Sequence, residues 1–471
     1  MSAEPRAARL EGRAARLWIE VEDLFHYVTN NSRPSGIQRL AFELHKALRR
    51  LGGADRVRFL RHDPAGPDFR EVAWEEVLAL FDGLVDPPAP RRAAVVAVER
   101  PVSPLRARMR RALYAMPVPL RIALIRCGRA QLAALRSQVE ALRGLPAIIR
   151  AARDARRQPQ ARLLGQLAAL AGPGDVLAVL GSPWFGRSYA DRLDHVRRVH
   201  GMRVMLLFYD LVPIRHPEWT AASVVADFTS WTRACLPMAD ILLAISRATA
   251  ADVARYAAEQ RLALPGPVHV VPIGTGFGER PTAEVAAADL PTAGSYVLFV
   301  STLEARKNHA LMVRVWRRLL EELPEAEVPT LVFAGRIGWL VQDLLQQLQN
   351  AAWLGGKVRL IEGPSDADLV QLYRGCLFTV FPSLHEGWGL PVSESLAFGK
   401  PCIVADDTSL PEAGGDLARY FDPDNLADAV RVICDTLADR AGLAAWQARV
   451  ERDFRPVSWD EGARAILEHL P

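Results

Sequence analysis

Two carboxylates, Glu386 and Glu394, lie on either side of a glycine-rich segment that contains Gly387 and Gly389. An apolar, strand-like run precedes the segment, and Pro391 follows it at a position that the first turn of a helix tolerates. Glycines let the backbone approach a ligand closely, and the free amides and dipole at a helix start favour phosphate. The spacing therefore predicts a strand, an anion-binding loop and a helix.

The carboxylates need a different explanation, because a negative charge beside a phosphate repels it. They are better suited to accept hydrogen bonds from hydroxyl groups of the same ligand. A sugar nucleotide carries hydroxyls on both sides of its diphosphate, so Glu394 could hold the ribose and Glu386 the sugar. The alternatives are that Glu386 is a plain loop carboxylate and that Glu394 only complements the helix dipole.

Short apolar strands alternate with amphipathic helices along most of the 471 residues, which predicts parallel, doubly wound sheets. In the first half, strands are predicted at 16–21, 94–98, 176–180, 204–208, 241–245 and 268–272. After a Gly/Pro-rich stretch at 274–294, strands are predicted at 296–300, 330–334, 358–361, 377–381 and 401–405. The fold class is therefore α/β, with two Rossmann-like domains that hold a ligand in the cleft between them.

The pattern Glu386-x7-Glu394 begins within the run from Pro382 to Pro391 and is followed by Gly399-Lys400-Pro401 and Leu410-Pro411-Glu412. It resembles the signature of the retaining glycosyltransferases of family four. A second block, Phe299 to His309, is similar to the first loop of that family's donor domain, where a basic residue meets the diphosphate. The resemblance implies the GT-B fold. It also implies an acceptor-side domain over residues 1–285, a nucleotide-sugar domain over 286–455 and a crossover helix over 456–471.

The resemblance assigns roles to individual residues. The catalytic candidates are Glu386, Lys307 and Asp210. The donor-binding candidates are Glu394, Gly387, Trp388, Gly389, Leu390, Arg306, Gly36, Gly335, Arg336, Gly363 and Ser365. The acceptor-side candidates are Tyr209, Trp184 and Arg39. Tyr209 stands where the family usually has His before Asp-Leu, Gly36 could equally belong to a plain turn, and Trp184 could equally be a packed structural side chain.

The implied reaction moves a sugar from a nucleotide-diphosphate donor to a hydroxyl with retention of configuration. Lys307 and the loop amides would stabilise the departing diphosphate, so no metal or other cofactor is required. The donor loop is similar to those of mannosyl and related transferases that build surface polysaccharides, which favours a GDP-sugar and leaves UDP-sugars open. A sugar-nucleotide epimerase, a phosphorylase of GT-B shape and a non-catalytic nucleotide-sugar-binding scaffold remain alternatives.

Charge is unevenly distributed, since residues 100–162 contain fifteen arginines against only Glu140 and Asp154. This stretch lies in a predicted helical insertion at about 88–172. It predicts either a solvated basic face or an amphipathic patch on an anionic membrane, which would suit a polyprenyl-linked saccharide acceptor. Nucleic acid is not expected, because no binding motif accompanies the charge.

The remaining composition bounds the setting of the protein. Half of the residues are hydrophobic and 24% are charged, as in an ordinary globular protein. No apolar run is long enough to span a membrane, the N-terminus lacks an apolar signal-peptide core, and the five cysteines show no paired spacing. These features predict a cytoplasmic protein, peripheral on the inner face of the membrane if the basic patch binds there.

Overall fold

The computed structural model describes residues 14–30, 35–85, 165–186, 188–276 and 290–471. The basic stretch at 100–162, most of the predicted insertion, the strand predicted at 94–98 and the boundary between residues 285 and 286 lie outside these ranges. The insertion and the domain limits therefore stay predictions.

The first domain is built on a seven-stranded sheet of order β3-β2-β1-β4-β5-β6-β7, parallel except for the antiparallel edge pair of β2 and β3. The strands are β1 (Leu17–Glu20), β2 (Val57–His62), β3 (Phe69–Val72), β4 (Val176–Val179), β5 (Arg203–Phe208), β6 (Ile241–Ala244) and β7 (Val268–Val270). The α-helices are α1 (Glu22–Asn30), α2 (Gly36–Gly52), α3 (Trp74–Val85), α4 (Leu167–Leu170), α5 (Tyr189–His195), α6 (Val212–Arg215), α7 (Ala222–Cys235) and α8 (Arg247–Gln260).

The second domain is built on a six-stranded, wholly parallel sheet of order β10-β9-β8-β11-β12-β13. The strands are β8 (Tyr296–Val300), β9 (Thr330–Gly335), β10 (Val358–Glu362), β11 (Thr379–Phe381), β12 (Cys402–Ala405) and β13 (Arg419–Phe421). The α-helices are α9 (His309–Glu322), α10 (Gln342–Asn350), α11 (Ala352–Gly355), α12 (Asp366–Gly375), α13 (Leu390–Ala397), α14 (Leu410–Gly414), α15 (Leu426–Ala438), α16 (Arg440–Asp453) and α17 (Trp459–Leu467).

The central strands form where helices cover both faces of a sheet. Every residue of β1, β4, β6 and β12 is buried, as expected for parallel strands of continuous apolar sequence. Separate hydrophobic clusters fill the space between each sheet and its helices. The two parallel-sheet domains predicted from the sequence are confirmed, and the strands that fall in described residues lie within two residues of their predicted limits.

The C-terminal helix α17 packs against α2 of the first domain. The approach is close, because a Cβ on Gly462 would lie 3.5 Å from Leu44 of α2 and 2.5 Å from the carbonyl oxygen of Pro272, just after β7. Ser458 and Glu461 form a capping box that fixes where this helix begins. Helix α17 thus returns to the first domain.

Candidate active site between the two sheets

The start of α13 faces the first domain, as the glycine pattern predicts. Gly389 caps the helix with a φ of 103°, a left-handed conformation that side chains rarely adopt. A Cβ at Gly389 would also lie 2.6 Å from Leu410. Pro391 occupies the first turn, so the sequence both opens the turn and starts the helix. Free backbone amides are therefore presented at the carboxyl end of β11.

Two cations from the loop after β8 converge on Glu386, just before that helix. Lys307 donates to one carboxylate oxygen of Glu386, and Arg306 Nη1 lies 2.9 Å from the other. Arg306 also contacts Glu304 at 2.9 Å. A single 3₁₀ turn, Ala305–Lys307, carries both cations. The site therefore collects two positive and two negative side chains, all largely buried.

Hydroxyl groups hold the Glu386 loop in place. Ser383 donates to the Glu386 carboxylate at 2.6 Å, and Ser409 donates to the Glu386 carbonyl at 2.9 Å. The Glu386 amide donates to Thr408 at 3.0 Å. Main-chain and side-chain atoms of Glu386 are thus all anchored, so the carboxylate is preorganised.

Burial and neighbouring charges shift the pKa values of Glu386, Lys307 and Arg306 in different directions. Burial penalises the charge of Glu386, but the adjacent charges of Arg306 and Lys307 outweigh it and lower its pKa to about 2. Burial also lowers the pKa of Lys307, and the neighbouring Arg306 lowers it further. Despite burial, Glu386 and Glu304 raise the pKa of Arg306. Burial and Arg306 thus oppose the charge of Lys307 more than Glu386 and Glu304 support it.

The lowered pKa of Glu386 predicts that the stability of the fold depends on pH. A folded-state pKa of about 2 against an ordinary 4.5 means that the Glu386 charge stabilises the fold above pH 4.5, and that this contribution is lost as pH falls towards 2. We expect Glu386→Gln to melt below the wild type at pH 6, and the gap to narrow by pH 3. Thermal melts across this range test it, with the exposed Glu321→Gln as control. A gap that stays constant with pH would contradict the assignment.

Glu394 lies in the second turn of α13 and is also buried. The Tyr373 hydroxyl donates to its carboxylate at 2.8 Å, and Tyr373 itself stacks on Phe398. Burial raises the pKa of Glu394, while Arg39 from the first domain opposes the shift. Arg39 is in turn paired with Asp366 at 2.8 Å. Glu394 therefore sits at a polar corner to which both domains contribute.

The two domains touch directly beside the Glu386 loop. A Cβ on Gly387 would lie 2.0 Å from the carbonyl oxygen of Tyr209. The Glu412 carboxylate accepts from the amides of Arg247 and Ala248 at 2.9 and 2.8 Å. Glu412 thus caps the first turn of α8 across the domain interface, where a negative charge complements the helix dipole.

Asp210 follows β5 and faces the same cluster from the first domain. Its carboxylate accepts from the amide of Val212 at 3.0 Å, and its charge acts on both Arg306 and His385. Burial lowers the pKa of His385, whose ring centre lies 5.1 Å from that of His216. Sequence reasoning missed both histidines, although His385 directly precedes Glu386.

A family model described as glycosyl transferases group 1 matches residues 283–451, which include the whole Lys307 and Glu386 cluster. The match covers 169 of the 471 residues, so the second domain is similar to the group 1 glycosyl transferases.

Two relatives of this transferase come from Escherichia coli. Serotype-specific mannosyltransferase WbdA is 27% identical over 292 residues, which cover 58% of this chain and 34% of the relative. O-antigen chain mannosyltransferase B is 32% identical over 165 residues, 35% of this chain and 42% of the relative. The matched part thus spans well under two thirds of each curated relative.

Among solved structures, Anabaena Alr3699/HepE, determined in complex with UDP-glucose, aligns with a TM-score of 0.53 and 14% identity. The alignment covers 97% of this transferase and all of that chain. At this identity the likeness establishes the fold, and the two α/β domains have the GT-B architecture. No described helix of the transferase is long and apolar enough to cross a bilayer.

Two aromatic acceptor-side candidates contact other residues of the first domain. The Tyr209 ring is buried, and its hydroxyl donates to the Leu180 carbonyl at 2.5 Å, while its main chain reaches the domain interface. Trp184 is half-buried and packs edge-on against Phe228 and Trp231, at the border of the first domain's core cluster. The acceptor-side roles of both residues stay predictions.

The remaining acceptor-side candidate, Arg39, contacts the second domain. Its guanidinium pairs with Asp366 and its charge acts on Glu394, and its acceptor-side role stays a prediction. The nearby Gly36 lies at the start of α2, with Leu390 about 4.0 Å from the position of its missing Cβ. The structure thus brings Gly36 and Arg39 to the start of α13.

Four further donor-binding candidates gather at the ends of β9 and β10. A Cβ on Gly335 would lie 1.8 Å from the Ser301 carbonyl oxygen, and the Gly335 carbonyl accepts from Gly363 at 3.1 Å. The Arg336 carbonyl accepts from the amide of Leu303 at 2.8 Å. These contacts tie the Lys307 loop to the predicted nucleotide loops, and the roles of the side chains stay predictions.

Ser365 caps α12 in the structure. Its hydroxyl accepts from the Asp368 amide, and the Asp368 carboxylate accepts in return from Ser365. Asp366 and Asp368 form an Asp-x-Asp triplet, but one is paired with Arg39 and the other closes this capping box. Trp388 donates to Ser393 at 3.1 Å, which fixes its ring along the first turn of α13.

Gly387→Ala tests the contact between the domains. Its methyl group would meet the Tyr209 main chain, so the domains must part locally while each sheet stays folded. We expect transferase activity to fall at least about tenfold, since about 1.4 kcal/mol of misalignment suffices. The control is Gly266→Ala, which meets nothing within 4 Å. Full activity of Gly387→Ala, measured in the same assay, would contradict the contact.

Proposed function

We propose that this transferase moves a hexose from a nucleotide-diphosphate sugar to a hydroxyl of a saccharide, with retention of anomeric configuration, in surface polysaccharide synthesis. The observation that carries the proposal is the convergence of Lys307 and Arg306 on Glu386 at the start of α13. The cluster combines cations and amides for a diphosphate with a fixed carboxylate for hydroxyls.

The diphosphate would lie between the Lys307 loop and the first amides of α13. In this position it replaces Glu386 as the counter-ion of Lys307, whose pKa is lowered by burial in the free protein. Glu386 is then free to accept hydrogen bonds from the sugar hydroxyls. The cations stabilise the negative charge that grows on the leaving diphosphate, and these residues do so without a metal.

The reaction breaks the bond from the sugar C1 to the diphosphate oxygen and forms one from C1 to the acceptor oxygen on the same face. The departing diphosphate takes the acceptor's proton. Asp210 faces this position from the first domain and is proposed to orient the sugar or the acceptor hydroxyl. Glu394, held by Tyr373, accepts from the ribose hydroxyls.

A GDP-sugar, and mannose in particular, is the proposed donor. The named E. coli relatives are mannosyltransferases, and both align with this chain over part of their length. UDP-glucose is the second candidate, because HepE was solved with that ligand.

Product analysis tests the proposal. The purified chain is incubated with GDP-mannose or UDP-glucose and with saccharide or polyprenyl-linked saccharide acceptors. We expect release of the nucleoside diphosphate together with an elongated saccharide. NMR should show that the new linkage keeps the anomeric configuration of the donor. A rearranged nucleotide sugar without transfer would indicate an epimerase, consumption of phosphate a phosphorylase, and tight binding without turnover a scaffold.

The acceptor is proposed to be presented at an anionic membrane, with the basic stretch 100–162 as the contact. Fifteen arginines in this stretch predict binding to vesicles that contain anionic lipid and release at high salt. Liposome flotation measures it. Equal recovery on neutral and anionic vesicles would contradict the electrostatic contact.

A further inference from the structure

One cluster of metal-ligand side chains lies apart from the Lys307 and Glu386 cluster, at the β3 edge of the first sheet. Asp68 directly precedes β3, while His195 ends α5 and His200 ends the π-helical turn that follows it. One ligand atom from each residue lies within 4.8 Å of the other two. We propose that Asp68, His195 and His200 form a zinc site.

The spacing suits a tetrahedral ion. His200 Nε2 lies 3.0 Å from one Asp68 oxygen, and His195 Nε2 lies 4.0 Å from the other. Ligands 2.0–2.2 Å from a tetrahedral zinc are separated by about 3.4 Å, so small movements of the side chains would close the site. Two neutral imidazoles and a carboxylate are a ligand set that Zn²⁺ accepts, with water in the fourth position.

A change from α-helical to π-helical geometry brings the two histidine rings close together. In an α-helix, residues five apart point about 140° away from each other. Here the five residues after His195, Val196–His200, form a π-helical turn, a rare feature often found at functional sites. The wider turn brings the rings of His195 and His200 to 5.5 Å.

The cluster combines one buried ring with two partly exposed side chains. The His200 side chain is fully buried, and its Nδ1 has no hydrogen-bond partner among the described residues. Because Nε2 is the nitrogen that would bind zinc, Nδ1 faces away from the ion and is left for a water, a usual partner of the second nitrogen of a ligating histidine. His195 and Asp68 are 26% and 21% exposed, which leaves a path for the ion from solvent.

The charges around the cluster permit a cation. Arg192 lies one helical turn before His195, but its guanidinium donates to the main-chain oxygens of Gly66 and Asp68 at 2.8 and 2.9 Å. Bound zinc would link the loop between β2 and β3 to α5. We therefore assign it a structural role at the sheet edge, separate from sugar transfer.

Zinc titration of the untagged, chelator-treated chain tests the site. We expect one Zn²⁺ per chain with a Kd of about 1 µM or tighter by calorimetry, and a tetrahedral absorption spectrum when Co²⁺ replaces it. Zn²⁺ should also raise the melting temperature. Both His195→Ala and Asp68→Asn should weaken binding at least about tenfold. These partly exposed positions are chosen because replacing the buried His200 could prevent folding.

The matched control is His269→Ala. His269 is an exposed histidine on β7 whose ring lies 4.3 Å from that of His469, so it reports adventitious binding to a surface histidine pair. Its loss should leave zinc affinity unchanged. Stoichiometric zinc binding that survives both His195→Ala and Asp68→Asn would overturn the proposal, and so would a wild-type chain that binds no zinc below about 100 µM.

Discussion

Replacing Lys307 by alanine is expected to lower kcat by about 10² to 10³, the usual consequence of removing one donor aimed at developing charge. The side chain is 13% exposed and already paired with Glu386, so its ammonium is positioned before any ligand arrives. The diphosphate loses the ammonium of Lys307, and Arg306 alone remains to meet the leaving group. Initial rates with a saturating nucleotide sugar measure the effect.

The matched control for this variant is Lys46→Ala. Lys46 is also paired with a glutamate, Glu43 at 3.0 Å, but it lies on α2 of the first domain. We expect its kcat to stay within about twofold of wild type, as is typical of surface ion pairs. A Lys307→Ala enzyme with unchanged kcat would remove the diphosphate assignment.

Glu386→Gln is expected to cause a comparable loss of turnover. The substitution keeps shape and removes the charge that balances Arg306 and Lys307. It also replaces an acceptor-only group with an amide that offers a single acceptor oxygen, so hydrogen bonds to sugar hydroxyls are lost. We expect kcat to fall at least about 100-fold, with nucleoside diphosphate affinity preserved or increased because a repelling carboxylate is gone.

The variant Glu304→Gln distinguishes two possible roles of Glu386, namely contact with the sugar and neutralisation of the nearby cations. Glu304 pairs with the same guanidinium of Arg306 at 2.9 Å, so its neutralisation changes the net charge of the cluster by the same amount. If Glu386 acts on the sugar, only Glu386→Gln has the large kcat effect. Equal losses in the two variants would show that Glu386 serves only as a counter-ion.

Much of this fold is readable from the sequence, because parallel strands covered on both faces must be continuous apolar runs. The antiparallel pair β2 and β3 and the edge strand β13 escaped prediction. In β2 and β3, Arg58 and Glu71 interrupt the apolar pattern. The structure pairs these two side chains across the strands at 3.1 Å. The feature that marks β2 and β3 as neighbouring strands is this cross-strand ion pair, which exists only once the strands are paired.

The candidate site was also predictable only in part. Lys307, Glu386 and the glycines were predictable because they lie close together in two local motifs. Tyr373 and Arg39 were not predictable as partners of Glu394, because each arrives from a different helix and Arg39 comes from the other domain. The burial of Tyr209 depends on the Leu180 carbonyl of a neighbouring strand, which no local pattern specifies.

The decisive measurement is a crystal structure with a non-hydrolysable nucleotide sugar. We expect the diphosphate at the first amides of α13, within hydrogen-bond distance of Lys307, with Glu386 turned to the sugar and Glu394 to the ribose. A diphosphate bound elsewhere, or a ligand that leaves the contact between Lys307 and Glu386 intact and makes none with either residue, would contradict it.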